Sequence, residues 1–242
     1  MINKDEQLEE RLGHKFRDPA LLGRALTHSS AIPELRAENT GSAAPPEDNE
    51  QLEFLGDAVL DLLASEYLLE KFPDWSEGRL SKSRARLVNA QALESAARRL
   101  RLGEHLRLGR GEEKTGGREK PALLADAVEA VVAAIYLDAG LAAAREMLRA
   151  SLFEYALEER GDRLFEADRK SALQEFLQSR GNPPAEYRLA GESGPDHQKT
   201  FQVEVWVNGS RMAAGEGGTK KEAEQRAARA ALEHLEQTAA SS

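Results

Sequence analysis

Asn49-Glu50-Gln51-Leu52-Glu53-Phe54-Leu55-Gly56-Asp57-Ala58-Val59-Leu60 places leucines and acids in a helical rhythm. Leucines recur at 52, 55, 60, 63 and 68, so a long helix is predicted from Asn49, its expected cap, to about Lys71. Glu53 and Asp57 are four apart and share one face of it. A second stretch, Ala122-Leu123-Leu124-Ala125-Asp126-Ala127-Val128-Glu129-Ala130-Val131-Val132, sets Asp126 and Glu129 three apart on an otherwise apolar helix that starts at Pro121 and stops at Gly140. Acid pairs at such spacings are ordinarily solvated helix faces. Here no Lys or Arg lies within four residues of Asp126 or Glu129. A carboxylate buried in that setting needs a partner or a cation. Two helices offering two carboxylates each can form an oxygen-only cage, which suits Mg²⁺ or Mn²⁺. A di-iron bundle would require Glu-x-x-His on two helices, and His14, His28, His105, His197 and His234 all fall elsewhere.

Working outward, Asp18-Pro19 opens a helix to about Thr27, and Ser76 opens one to about Leu100 that breaks near Asn89. Residues 33–48 and 109–118 are rich in Gly, Pro and polar residues and are predicted as loops. Leu141–Glu159 makes the last helix of an all-α domain spanning 1–160. Residues 161–167 are expected as a charged linker, 168–237 as a small α+β domain and 238–242 as a tail. In the α+β domain, Arg169–Arg180 is helical with Gly181 as its stop, and Phe201–Val207 alternates as a strand. Asn208-Gly209 then reads as a hairpin turn, and Thr219-Lys220-Lys221-Glu222 as a capping box before a helix carrying Ala223, Ala227, Ala231 and Leu235.

The chain has 242 residues, 33 Lys+Arg against 42 Asp+Glu, and no cysteine. Disulfides, thiol catalysis and thiolate metal sites are thereby excluded. The apolar runs fall short of a bilayer span and the first residues are polar, so no membrane partner and a cytoplasmic location are expected. The surplus acid argues against a nucleic-acid partner. However, 168–237 holds 10 basic and 11 acidic side chains, so nearly all of the surplus lies in the first domain.

The stretch Asn49–Leu60 closely resembles the signature of the ribonuclease III family, and Leu124–Ala130 resembles that family's second acidic motif. The resemblance implies that Glu53, Asp57, Asp126 and Glu129 ligate metal, with Asp57 and Glu129 central to catalysis. It implies supporting roles for Glu50 and for Glu77, in Trp75-Ser76-Glu77-Gly78. Gln51 stands where an Arg is common in the family, on the expected outer face, and the loop 33–48 looks longer than usual. Residues 168–237 resemble a double-stranded-RNA-binding domain of α-β-β-β-α order through Lys170–Glu175, Gly194–His197 and Thr219–Glu224. The RNA-binding set is then Gln174, Glu175, Gln178, His197, Lys220 and Lys221. Gln174 and Gln178 are suited to 2′-hydroxyls in a shallow groove, and the two lysines to phosphate at a helix N-terminus. Glu224 occupies a position often held by a third Lys, which implies modest phosphate affinity. Trp206 is read as packing or surface rather than a base-stacking platform.

Together the resemblances imply a Mg²⁺-dependent endoribonuclease, with Mn²⁺ a plausible substitute and no organic cofactor. It would cut double-stranded RNA by attack of an activated water, leaving 5′-phosphate and 3′-hydroxyl ends, in ribosomal precursors and other structured transcripts. A duplex has two strands, so a homodimer with two acidic sets is implied. Phe54, apolar between acids, is the candidate for its interface, with burial in its own core as the alternative. The competing function is a double-stranded-RNA-binding dimer without catalysis.

Overall fold

In a computed structural model the described residues are 4–38, 45–160, 169–195 and 199–240. The expected linker 161–167 and His197 lie outside them. The chain divides into two units, Met1–Gly161 and Asp162–Ser242.

The first unit is helical throughout, in the order α1 (Lys4–Leu12), α2 (Pro19–Ala25), α3 (Ile32–Glu38), α4 (Glu50–Lys71), α5 (Glu77–Leu87), α6 (Ala90–Leu100), α7 (Arg110–Lys114), α8 (Pro121–Leu148) and α9 (Glu154–Arg160). Its axis is α8, because Ala127, Ala130, Val132, Ala133, Ala134 and Ile135 are fully buried. By length and composition α8 and its continuation, Pro121–Glu158, are apolar enough to cross a membrane. The expectation that every apolar segment falls short of that length is therefore corrected. Small alanines let neighbouring helices come close on several sides, so the apolar content goes into a protein core. At Gly140 the backbone leaves the helical region (φ 82°, ψ 179°), so α8 breaks there, at the stop expected from the sequence.

Local signals place several ends. The Asp18 side chain accepts from the Ala20 amide, Ser76 from Arg79 and Asn89 from Ala92, so the predicted break between α5 and α6 is a true cap. Asn49 differs. Its side chain makes no capping bond; the residue is 4% exposed and its own amide donates to the Thr27 carbonyl, which ties α4 to the end of α2.

Two predicted loops contain helix. Helix α3, Ile32–Glu38, takes up the first six residues of the predicted loop 33–48, and its Glu34 carboxylate accepts from the Arg110 amide. Within 109–118, Arg110–Lys114 is helical and Gly117–Glu119 forms a 3-10 turn. There the Arg118 guanidinium reaches the carbonyls of Gly103 and Leu106, and Lys120 pairs with Glu112 at 2.6 Å. Composition did not show these turns because some of the bonds that hold them reach outside the segment.

The second unit runs α10 (Arg169–Ser179), β1 (Glu186–Ser193), β2 (Thr200–Val207), β3 (Ser210–Gly217) and α11 (Lys220–Ala240). The sheet is antiparallel in the order β1-β2-β3. Along β2 the buried Val203, Val205 and Val207 alternate with half-buried Glu204 and Trp206, as the sequence alternation predicts. Both Asn208 and Gly209 take positive φ (52° and 73°), the conformation a two-residue hairpin demands. Val205 and Val207 pack with Leu173, Leu177, Ala227, Ala228, Ala231 and Leu232 into the unit's own core. Helix α11 continues to Ala240, three residues past the domain end expected at 237.

Candidate functional site

The acids come together where α4 crosses α8. A side chain at Gly56 would put its Cβ 1.8 Å from the Glu129 carbonyl oxygen, so only glycine allows this approach. One turn before Gly56, α4 presents Glu53; across the contact, α8 presents Asp126 and Glu129. Carboxylate oxygens of Glu53, Asp126 and Glu129 lie within 4.8 Å of one another. All three residues are partly buried, and among the described residues no ion pair reaches any of them.

That concentration of charge shows in their acidities. Glu129 is pushed from 4.5 to about 7, first by burial and then by the charges of Asp57, Glu53, Asp126 and Asp61. Glu53 is raised by burial and by Asp126, Glu50 and Asp57. Asp126 is raised by burial, against an opposing pull from His28. Such a group of carboxylates is relieved by a proton or by a cation with oxygen-seeking coordination.

Asp57 stands outside the close trio and is exposed, although its charge bears on Glu129 more than any other. Glu50, exposed one turn before Glu53, acts through its charge on Glu53. Glu77 is not part of the cluster. Its carboxylate accepts from Ser81 Oγ at 2.7 Å, beside Ser65 and Leu69, well along α4 from Glu53. Two groups near the cluster escaped the sequence reading, Asp61 and His28. Asp61 is detectable as a further i+4 step from Asp57, whereas no local pattern links His28 to α8. The His28 Nδ1 accepts from the Ser30 amide at 3.2 Å, and its own amide donates to the Arg107 carbonyl.

Phe54 is 83% exposed, so the alternative of burial in its own domain's core is ruled out. Further along α4, Leu62 (47%) and Leu69 (55%) are exposed as well. Leu69 borders a cavity of about 340 Å³ lined also by Ser65, Leu68, Glu77, Leu80, Ser81 and Arg84. Gln51 is exposed, as expected, and accepts from Arg24 Nη2 at 2.7 Å.

In the second unit, Lys220 and Lys221 are exposed at the start of α11. Half of the expected capping box is formed: Thr219 Oγ1 accepts from the Glu222 amide at 3.1 Å, but the Glu222 carboxylate accepts from the Gly218 amide, one residue before the cap, rather than from Thr219. On α10, Leu173 and Leu177 are buried, Gln174 and Glu175 are half-buried and Gln178 is exposed. Trp206 donates from Nε1 to Glu204 and lies 4.5 Å from the Arg188 guanidinium, so its ring is engaged within the sheet.

A family model described as ribonuclease-III-like matches residues 18–156, and one for the double-stranded RNA binding motif matches 170–235. A protein named Ribonuclease 3 from Heliobacterium modesticaldum is 48% identical over 230 residues, which is 95% of this chain and 94% of that one. Another from Solibacter usitatus is 49% identical, covering 94% and 86%. Among solved structures, a ribonuclease III nuclease domain from Campylobacter jejuni, described as flexible in a region involved in dimer formation, superposes with a TM-score of 0.52. It is 42% identical, over 60% of this chain and 96% of that one.

Proposed function

The chain belongs to the ribonuclease III family and is an endoribonuclease acting on double-stranded RNA; on that premise we propose that Glu53, Asp57, Asp126 and Glu129 hold Mg²⁺ and that the cut leaves 5′-phosphate and 3′-hydroxyl ends. The observation that carries this reading is the mutual approach of the Glu53, Asp126 and Glu129 oxygens within 4.8 Å. The donor set fits: it is all carboxylate, neighbouring acids raise the pKa of Glu129 and Glu53, and a hard divalent cation relieves that repulsion. Bound Mg²⁺ would supply a water activated for in-line attack on the phosphodiester and charge stabilisation for the leaving 3′-oxygen. Asp57, at the exposed edge of the trio, completes the ligand set, and Glu50 adds negative charge beside Glu53. Mn²⁺ serves as a substitute, since both ions favour oxygen ligands.

The same reading makes the protein a homodimer. Phe54 neighbours Glu53 in sequence, is 83% exposed and fits an apolar recess. The cavity bordered by Leu68, Leu69 and Leu80 offers such a recess, and Glu77 lies on its rim. If the partner subunit's Phe54 enters that cavity, Glu77 comes beside the partner's acid cluster. A supporting role for Glu77 is then exerted across the dimer, which reconciles it with its distance from the cluster in its own chain. RNA is held through Lys220, Lys221, Gln174, Glu175, Gln178 and His197, and the biological substrates are ribosomal RNA precursors and other structured transcripts in the cytoplasm.

The test is a labelled RNA duplex incubated with the protein in Mg²⁺ and then in EDTA, beside Glu129→Ala. Cleavage should require the metal and be nearly abolished in the variant, while duplex binding is retained. Undiminished cleavage by Glu129→Ala would overturn the assignment.

A further inference from the structure

The RNA-binding face carries a positive charge that its own sequence cancels. Lys170 Nζ lies 2.8 Å from Glu224 Oε2, with the two side chains 35% and 30% exposed. The ammonium is also 4.1 Å from the Tyr187 ring, so the lysine is held in place rather than swinging in solvent. Next to it, the Gln225 side chain accepts from the Arg169 and Lys170 amides, at 2.7 and 3.4 Å, and fixes the start of α10 against α11.

Position decides what this pair does. Lys170, Gln174 and Gln178 follow at four-residue steps, so Lys170 belongs to the stripe of α10 that carries the two glutamines. Glu224 lies one turn beyond Lys220 and Lys221, on their side of α11. The ion pair therefore joins the two helices at the surface assigned to RNA. Lys170 thus has its charge offset by a carboxylate, while Lys220 and Lys221 are exposed at the start of α11.

We propose that Glu224 is a specificity-determining residue: by pairing with Lys170 it withholds one phosphate contact and keeps duplex binding weak and shape-dependent. The inference rests on the assignment of Lys220, Lys221 and the α10 glutamines to RNA. A pair this exposed contributes little to stability. Against a polyanion, by contrast, each phosphate neutralised adds about −0.9 to the slope of log affinity against log salt. Freeing Lys170 should therefore steepen that slope by about one unit. One added contact should tighten binding about fivefold near 0.15 M salt.

The experiment uses the full chain in EDTA, so that nothing is cut, with an RNA duplex of about 20 base pairs, longer than the roughly 16 such a domain spans. Affinity is measured across about 0.05–0.3 M KCl. Glu224→Gln should bind more tightly with the steeper slope, at an unchanged melting temperature. Lys170→Met/Glu224→Gln should lose that gain. Lys220→Ala/Lys221→Ala tests the underlying assignment: unchanged binding there removes the face from RNA recognition altogether. If that double variant binds weakly but Glu224→Gln keeps the parental slope, the pair is structural only and the inference falls. A gain that survives in Lys170→Met/Glu224→Gln overturns it as well, because the charge released would not be Lys170.

Discussion

Replacing Gly56 with Ala tests whether the closeness of α4 and α8 sets the acid cluster. In an isolated helix the change is favourable by about 1 kcal/mol, since Ala is the better helix former. Here the added methyl would stand 1.8 Å from the Glu129 carbonyl oxygen and 2.4 Å from its carbon, whereas ordinary contact begins near 3.4 Å. Both atoms are backbone, so no side chain can swing aside. The helices must part by more than an ångström, and the segment displaced is the one that carries Glu129. Overpacking of this kind costs about 1–3 kcal/mol, enough to override the gain in propensity. The effect on chemistry should be larger, because a displacement of about 1 Å among positioned groups can cost about 100-fold in rate. Gly56→Ala is therefore expected to cut single-turnover cleavage of an RNA duplex by about that factor and to need more Mg²⁺. Binding in EDTA should persist, because the RNA-binding motif lies in residues 170–235. The assay is cleavage against Mg²⁺ concentration, with circular dichroism to confirm folding. A folded Gly56→Ala protein with the parental rate and metal requirement would refute the argument.

Three further outcomes are expected. In the metal-free protein, Glu129 ionises near 7 rather than 4.5, so stability should fall as pH rises through that window; Glu129→Gln should flatten the fall, and Mg²⁺ should raise the parent's melting temperature most above about 7. The Asp138 side chain is 2% exposed and accepts from the Arg17 and Asp18 amides and from His14 Nε2, so Asp138→Ala should lose about 2–3 kcal/mol in urea unfolding. Burial pushes the Asp138 carboxyl up, but these donors outweigh it and hold the group below 3.8, so its contribution should be full at neutral pH and fade only in acid, through the lowered value. Phe54→Glu should leave the fold intact, since the ring is 83% exposed, and shift sedimentation from dimer to monomer; an unchanged dimer would remove Phe54 from the interface.

Glu53 and Asp57 share a helix face by spacing alone, as do Asp126 and Glu129, and the caps at Asp18, Ser76, Asn89 and Thr219 are short-range chemistry. All of these could be read before any fold was known. Asn49 could not, because its backbone is helical (φ −91°, ψ −6°) rather than extended and its side chain makes no capping bond, while its amide is held by the Thr27 carbonyl from another segment. The helices at 32–38 and 110–114 were hidden for a related reason: Glu34 and Arg110 bond to each other across the chain rather than within either segment.

What the sequence determined by itself was the class of chemistry: four carboxylates on two helices, oxygen ligands only, and a second domain with lysines at a helix start. These depend on periodicities of a few residues, which survive in any fold the chain adopts. The tertiary structure alone decided which carboxylates meet. It drew Glu53, Asp126 and Glu129 into one group, left Asp57 at the edge and Glu77, at the start of α5, beside Ser65 and Leu69 well away from that group, and paired Lys170 with Glu224 across two helices. The physical reason is that such distances are set by packing between helices remote in sequence. At the acid cluster that packing turns on the missing side chain of Gly56, whose consequence appears only when Glu129 is placed against it.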